Sequence, residues 1–330
     1  MFRFENPSTS LRVFVAATLV ILAISTDALV AQVNHGSPVN QMLMAGPDRP
    51  ANVPQGYLLT PFGYFHPSCV QRIAEGETLL ADGRVQHKDG TVTKKKPVCR
   101  YPRYDRRGVP MTSAALTGAK PEASGWIENA NVATASADDW YSGLLASWIV
   151  PPQPRENDGQ VLFYFPGLED INNTLSILQP VLQWAGGQWA LANWNCCLSN
   201  ITTESTLIPV HPNDQIMATI AGDCHPGKAP CATWTIFSFD AETGESTTLK
   251  HTPSDGQVFN WAFGGVMEPY FVVSCDDYPP NSQLTFDVLL FNRHLRPVLQ
   301  PAWTDGFNTT VTPQCNYGVQ ASAFEIHLDY

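Results

Sequence analysis

From Gly125 to the C-terminus the chain reads as short apolar runs separated by turn residues. Period-two alternation is clear in Gln215-Ile-Met-Ala-Thr-Ile-Ala221 and in Thr233-Trp-Thr-Ile-Phe-Ser-Phe-Asp240, the spacing that puts every second side chain on one face of a strand. No window of a dozen residues carries a helical stripe. The pattern predicts strands over 126–132, 142–150, 160–165, 174–184, 188–195, 215–221, 232–239, 258–267, 270–275, 283–291 and 320–328. Short strands with turns about every 8–12 residues specify an all-β sandwich or barrel, and there is no repeat of fixed period. Half-buried strands that curve leave a concave face, where aromatic and polar groups line a groove.

Two interruptions of the apolar pattern stand out. In Ile177-Leu-Gln179-Pro-Val-Leu-Gln-Trp184 a carboxamide sits inside a strand, just after the acid pair Glu169-Asp170. Alternation places Ile177 and Gln179 on one face and Leu178 and Pro180 on the other. A carboxamide on an apolar face costs about 1–3 kcal/mol unless it is hydrogen-bonded. Farther along, Glu268 interrupts Trp261-Ala-Phe-Gly-Gly-Val-Met-Glu-Pro-Tyr270, where a carboxylate is costly unless it meets a groove or a partner. The bland readings are a structural amide at a sheet corner and an edge-strand carboxylate in solvent.

The N-terminal third is patterned differently. Arg3 and Arg12 precede the apolar run Val13–Ile24, and small residues follow, so residues 1–31 read as a secretory signal cleaved after Ala28 or Ala31, too short for a confident membrane span. Residues 32–107 form an N-terminal module or prosegment, opening with a polar lead-in to residue 55 and containing the hairpin turns Asp82-Gly83 and Asp89-Gly90. Residues 108–124 are a linker, and residues 125–330 form the β-sandwich domain. Residues 1–107 hold 13 Lys/Arg against 8 Asp/Glu, a balance of +5; the remainder hold 6 against 22, a balance of −16; together they give the net −11. An acidic domain repels nucleic acid and suits an acidic medium. The basic run Lys94–Arg107 reads either as a solvated linker or as a prosegment that docks on the acidic domain and is cut near Arg106-Arg107.

Export makes the eight cysteines, Cys69, Cys99, Cys196, Cys197, Cys224, Cys231, Cys275 and Cys315, disulfide partners. Cys69 and Cys99 are expected to pair. Cys196 and Cys197, adjacent on a strand, are expected to point to opposite faces and find different partners. The sequons at Asn172, Asn200 and Asn308 are candidate glycan sites in a eukaryotic host. There is no CxxC pair, no HExxH and no Gly-x-Ser-x-Gly elbow, so neither a metal nor a cofactor is expected. The mature protein is expected to be secreted, soluble and monomeric.

A carboxylate takes a proton from water as general base, and an ordinary Glu pKa of about 4.3 makes it useful in mild acid. A carboxamide N–H donates to a carbonyl becoming an oxyanion, and it does not titrate. That pairing suits acid peptide hydrolysis without Ser, Cys or metal. Residues 124–292 resemble the eqolisin-type glutamic peptidases. Ser124-Gly-Trp-Ile-Glu-Asn-Ala is similar to that family's opening Asn-Trp-Gly-Gly segment, and Leu145-Ala-Ser-Trp-Ile-Val-Pro-Pro to its strand ending in Val-Pro. Phe163-Tyr-Phe-Pro-Gly167-Leu-Glu169 stands for Trp-Val-Gly-Ile-Asp, Ile177-Leu-Gln179 for the catalytic Ile-Leu-Gln, and Val266-Met-Glu268 for Ile-Val-Glu. Phe165 replaces a Trp, Glu169 an Asp, and Pro269 an acid.

The resemblance implies a concanavalin-like antiparallel sandwich. It implies Glu268 as general acid/base, Gln179 as oxyanion partner, and Phe165, Glu169, Trp189 and Trp194 as substrate-binding positions for a protein or peptide. The Gln179 and Glu268 side chains should converge on one groove within about a water's reach. Two other readings stand beside it: a non-catalytic, lectin-like sandwich binding glycans through Trp189 and Trp194, and a glycosidase-type acid pair built from Glu169-Asp170 with Glu268.

Overall fold

The computed structural model describes residues 49–111, 125–136, 138–172, 177–197, 200–228, 230–306 and 311–330, and the backbone of Phe307. The expected signal peptide (1–31), most of the expected linker (108–124) and Asn308 lie outside the described residues.

The strands are β1 (Leu58–Thr60), β2 (Gly63–Phe65), β3 (Val70–Ile73), β4 (Thr78–Leu79), β5 (Val85–Gln86), β6 (Arg103–Tyr104), β7 (Pro110–Met111), β8 (Glu128–Ala133), β9 (Tyr141–Ile149), β10 (Val161–Glu169), β11 (Ile177–Ala185), β12 (Gln188–Cys196), β13 (Thr202–Ser205), β14 (Ile208–Val210), β15 (Gln215–Gly222), β16 (Thr233–Asp240), β17 (Ser246–Pro253), β18 (Trp261–Tyr270), β19 (Gln283–Asn292), β20 (Thr304–Phe307), β21 (Gly318–Ala321) and β22 (Glu325–Asp329). Two sheets stack. One has nine strands in the order β20-β8-β18-β10-β11-β12-β13-β3, with β14 beside β12; the other has seven, β17-β16-β15-β9-β19-β22-β21. Pairing within them is antiparallel except between β13 and β3. The all-β sandwich expected from the pattern is therefore present. Among the described residues no helix is long and apolar enough to cross a membrane.

The inter-sheet core is filled by alternate residues of both sheets, among them Trp148, Leu162, Trp184, Trp189, Ile220, Trp234, Met267 and Phe286. At β18 the sheets approach closely. A Cβ on Gly264 would come 2.7 Å from Ile326 and one on Gly265 2.9 Å from Phe286, so only glycine fits, and the register shifts there. Neither Gly264 nor Gly265 signals a loop.

Differences from the expected strands have local causes. The run 270–275 is not a strand: β18 ends at Tyr270, Phe271 adopts φ 60°, and Ser274 caps a short 3-10 turn over Cys275–Asp277. The predicted 320–328 strand is the hairpin β21–β22. Strand β17, with its sequence Ser-Thr-Thr-Leu-Lys-His-Thr-Pro, is polar enough to escape the pattern and forms a sheet edge.

The N-terminal module is not free-standing. Its four-stranded sheet β1-β2-β6-β7 includes Pro110 and Met111, so the module runs past the expected boundary at residue 107. Its strand β3 pairs in parallel with β13, Thr202 opposite Val70 and Ser205 opposite Ile73, and so becomes the last strand of the nine-stranded sheet. The ion pair Arg72–Glu204 ties that edge. Asn200, at φ 59°, donates Nδ2 to Cys99 O (3.3 Å) and Tyr101 O (3.0 Å), so the amide of this candidate glycan acceptor already holds the module. Asn172 is exposed.

Cys69–Cys99 pair as expected, and Cys224–Cys231 and Cys275–Cys315 also pair. Cys196 and Cys197 bond to each other rather than to separate partners. Strand β12 ends at Cys196, so strand alternation does not extend to Cys197.

Candidate active site

The nine-stranded sheet turns one face to the core and the other to the module. Alternation assigns Phe163 and Phe165 of β10, Ile177, Val181 and Ala185 of β11, Ala192, Trp194 and Cys196 of β12, and Trp261, Phe263, Val266 and Tyr270 of β18 to the face that meets the module. Gln179 and Gln183 fall in phase with Val181, and Glu268 in phase with Val266 and Tyr270. The two residues singled out in the sequence therefore share a face. Both have 0% exposure, because the module's Tyr57, Leu59, Phe62, Tyr64 and Phe65 close over that face.

The Glu268 carboxyl lies in an aromatic box. Its Oε1 accepts from Tyr270 OH at 2.6 Å, and its Oε2 has no partner. A Cβ on Gly125 would push on Oε1, so the backbone just before Trp126 runs close over the carboxyl, which the Trp126 indole also approaches. Burial pushes the Glu268 pKa up to about 8, opposed by the Tyr270 hydrogen bond, the charge of Arg106 and Trp126. Under the module this group is a neutral acid at pH 7. Arg106 lies 5.9 Å above the Tyr270 ring.

Register gives the spacing of the two groups. Glu268 is opposite Phe163, and Phe163 is opposite Gln183. Gln183, which the sequence reading passed over, is thus level with Glu268. Gln179 lies four residues along β11, on the rung of Gly167 and Phe263. Strand spacings put the Gln179 and Glu268 Cα atoms about 16 Å apart on a flat sheet. Side chains stand roughly perpendicular to a sheet, so the register alone leaves the two groups well beyond one water's reach, and only bending of the sheet brings them closer. The bulges at Phe165/Gly167 and Phe263/Gly265 bend the sheet between them. Phe163 stands between Glu268 and Gln183 on their rung, whereas Gly167 stands between Phe263 and Gln179 with the Ile177 side chain packed close against it. Both amide atoms of Gln179 and of Gln183 lack a partner.

The other expected site residues divide. Phe165 is on the face, edge-on to Trp126 at 5.8 Å. Trp194 is on the face and opposite Gln179 in the register. Trp189 is not: it packs in the inter-sheet core, 5.3 Å from Trp184 and 6.1 Å from Tyr164. Trp189 and Trp194 are five residues apart on one strand, and an odd separation sends them to opposite faces. Glu169, opposite Ile177 and Trp261, is enclosed rather than at a groove edge. Burial, with Asp170 beside it, raises its pKa well above the usual range. Asp170 braces the loop, accepting from Asn172 N (2.9 Å) and Val258 N (3.0 Å), which removes it from any acid pair.

Tyr270, Trp126, Arg106 and Gln183 were not found from the sequence. Only Gln183 carried a signal, because four residues after Gln179 returns to the same face. Among the described residues, Glu156, Asp158 and Asp277 bring oxygens within 4.8 Å of one another. Asp277 there accepts from Val273 N (2.7 Å) and Ser274 N (3.0 Å), which makes it a loop brace.

No protein-family model matches the chain, and no curated protein matches it. Solved structures similar to it include scytalido-glutamic peptidase with a peptide-based transition state analog (13% identity, TM-score 0.46, 63% of this chain and 98% of that one). Another is SCP-B, a member of the eqolisin family, in a complex with the tripeptide Ala-Ile-His (13%, TM-score 0.44, 63% and 98%). A third is aspergilloglutamic peptidase from Aspergillus niger (14%, TM-score 0.34, 52% and 98%).

Proposed function

We propose that the chain is a secreted, acid-acting endopeptidase of the glutamic type, held latent by its N-terminal module. One observation carries this reading. A carboxyl oxygen of Glu268 and the amide atoms of Gln179 stand unpartnered and fully enclosed on the same face of one sheet, where unpaired polar groups are costly without a use.

With the module gone, water reaches Glu268 and its pKa returns toward the ordinary value of about 4.3. The carboxylate then takes a proton from a water, and the water oxygen attacks the scissile carbonyl. The Gln179 N–H donates to the oxyanion, a contribution of about 2.7–4 kcal/mol in comparable acyl transfers. Glu268 returns the proton to the leaving amine as the C–N bond breaks. Because Gln179 does not titrate, it keeps this role at any acidic pH.

The layout suits release by cleavage. Arg107 lies in a turn with its side chain 76% exposed, and no disulfide joins module to sandwich, since Cys69–Cys99 closes within the module. A cut at Arg106-Arg107 falls between β6 and β7, so departure of the module also requires the β6–β7 and β3–β13 pairings to part. The lectin-like alternative loses one of its two platforms, because Trp189 is a core residue.

The test is hydrolysis of a denatured protein at pH 3–5 by the processed protein and by Glu268→Gln and Gln179→Ala. Both variants are expected to lose activity, and pepstatin is expected not to inhibit, there being no Asp dyad on the face among the described residues. Unchanged activity in either variant sinks the assignment.

A further inference from the structure

The module does more than cover the face; one of its side chains occupies a defined place on it. Strands β1 and β2 form a hairpin whose tip is Pro61-Phe62. Phe62 is 9% exposed, and its ring meets that of Trp194 edge-on, 6.2 Å between centroids. Trp194 is directly opposite Gln179, a pairing that sets their Cβ atoms about 4.5–5.5 Å apart. The next rung on this face is Val181–Ala192, both apolar, fully buried and in the cluster that holds Phe62 and Trp194. The Trp194 Nε1 has no partner and is free to donate to a main-chain carbonyl.

We propose that Trp194, Val181 and Ala192 form a subsite for an aromatic side chain of the peptide substrate, which Phe62 fills in the latent chain. The identity of the ligand as a substrate rests on the peptidase reading. The hairpin mimics a substrate without being one. Thr60 Oγ1 accepts from Phe62 N (3.2 Å) and donates to Gly63 O (3.0 Å), so the Phe62–Gly63 peptide is folded into a turn and not extended past Glu268. Gly63 holds that turn at φ 93° with its backbone against Tyr104 O, where a Cβ would overlap.

Two measurements on the full chain test this. Phe62→Ala vacates the subsite, and Phe62→Leu keeps apolar volume there should the alanine variant not fold. Trp fluorescence then follows binding of N-acetyl-phenylalaninamide against N-acetyl-leucinamide. The ring-bearing probe is expected to bind roughly threefold to tenfold tighter, with the preference gone when Trp194→Leu is added. Equal binding of the two probes, or none, overturns the inference. In the second measurement, cut sites in a denatured protein are mapped after processing. An aromatic residue is expected at one fixed position from the cut, and Trp194→Leu is expected to erase that preference. Hydrolysis with no aromatic preference overturns the subsite and leaves the peptidase reading. Ring-selective binding without hydrolysis at any acidic pH overturns the peptidase reading and leaves the subsite as a peptide-binding site.

Discussion

The two sheets of the sandwich meet their surroundings differently. In the seven-stranded sheet, β15, β16 and β19 alternate between buried and half-exposed positions along nearly their whole length. In the nine-stranded sheet, β10, β11 and β18 are buried at every position. One sheet has a wet face; the other has the module. A wet face explains its polar residues by hydration alone. A dry one does not, so Gln179, Gln183 and Glu268 need another account, and the proposed one is a reaction the module holds in check.

The largest effect expected from breaking this contrast is Glu268→Gln, which removes the proton-transfer group. The expected loss in kcat is about 10²–10⁴-fold, measured on the processed protein at pH 4. The paired tryptophans come next. Trp189→Ala should cost about 3–5 kcal/mol of unfolding free energy whether or not the module is attached, since its cavity opens between the sheets. Trp194→Ala should cost a comparable amount only while the module covers it. Chemical denaturation of the full and cut chains separates the two. Gln179→Ala should lower kcat about 10²–10³-fold, while Gln183→Ala, screened by Phe163, should cost less than about tenfold. The reverse order would assign the oxyanion role to the carboxamide level with Glu268.

A further effect, spread over several groups, is in pH. Burial raises Glu128 to about 9, Glu268 to about 8 and Glu204 to about 7, the last despite Arg72. Each folded pKa lies above the unfolded value, so between about pH 4.5 and 7–9 the folded chain keeps protons the unfolded chain has lost. Their contribution is full below about pH 4.5 and falls as pH rises, by up to about 1.4 kcal/mol per pH unit for each retained proton. Asp82 and Asp89 shift the other way but are fully exposed and count for little. Thermal unfolding should therefore show its highest Tm in acid and a decline toward pH 9. The same sign applies to the cover. Glu268 binds its proton more tightly beneath the module than it would in water, so acid alone does not lift the module, and departure after a cut should be faster at pH 8 than at pH 4.

How much of this was readable in the chain follows the same division. The alternating strands β15 and β16 were found because one face of each meets water. The all-β class and the Cys69–Cys99 pair were likewise legible. Strand alternation corrects two points: the resemblance implies Trp189 as a groove residue although its odd separation from Trp194 sends it to the core, and Gln183 shares the face of Gln179 through its even separation. The Cys196–Cys197 bond was hidden because strand geometry stops at Cys196. The covering of the face was hidden more deeply. Phe62, Tyr64 and Arg106 are ordinary turn and linker residues in sequence; their meaning depends on a hairpin crossing to strands more than a hundred residues away.

The most direct test is a time course of denatured-protein hydrolysis at pH 4 by the full chain, before and after cleavage in the turn at Arg106-Arg107, with Glu268→Gln run in parallel. Hydrolysis is predicted to appear only after the cut and module departure, and never in Glu268→Gln. Equal hydrolysis by the uncut chain, or by the cut Glu268→Gln variant, would contradict the account.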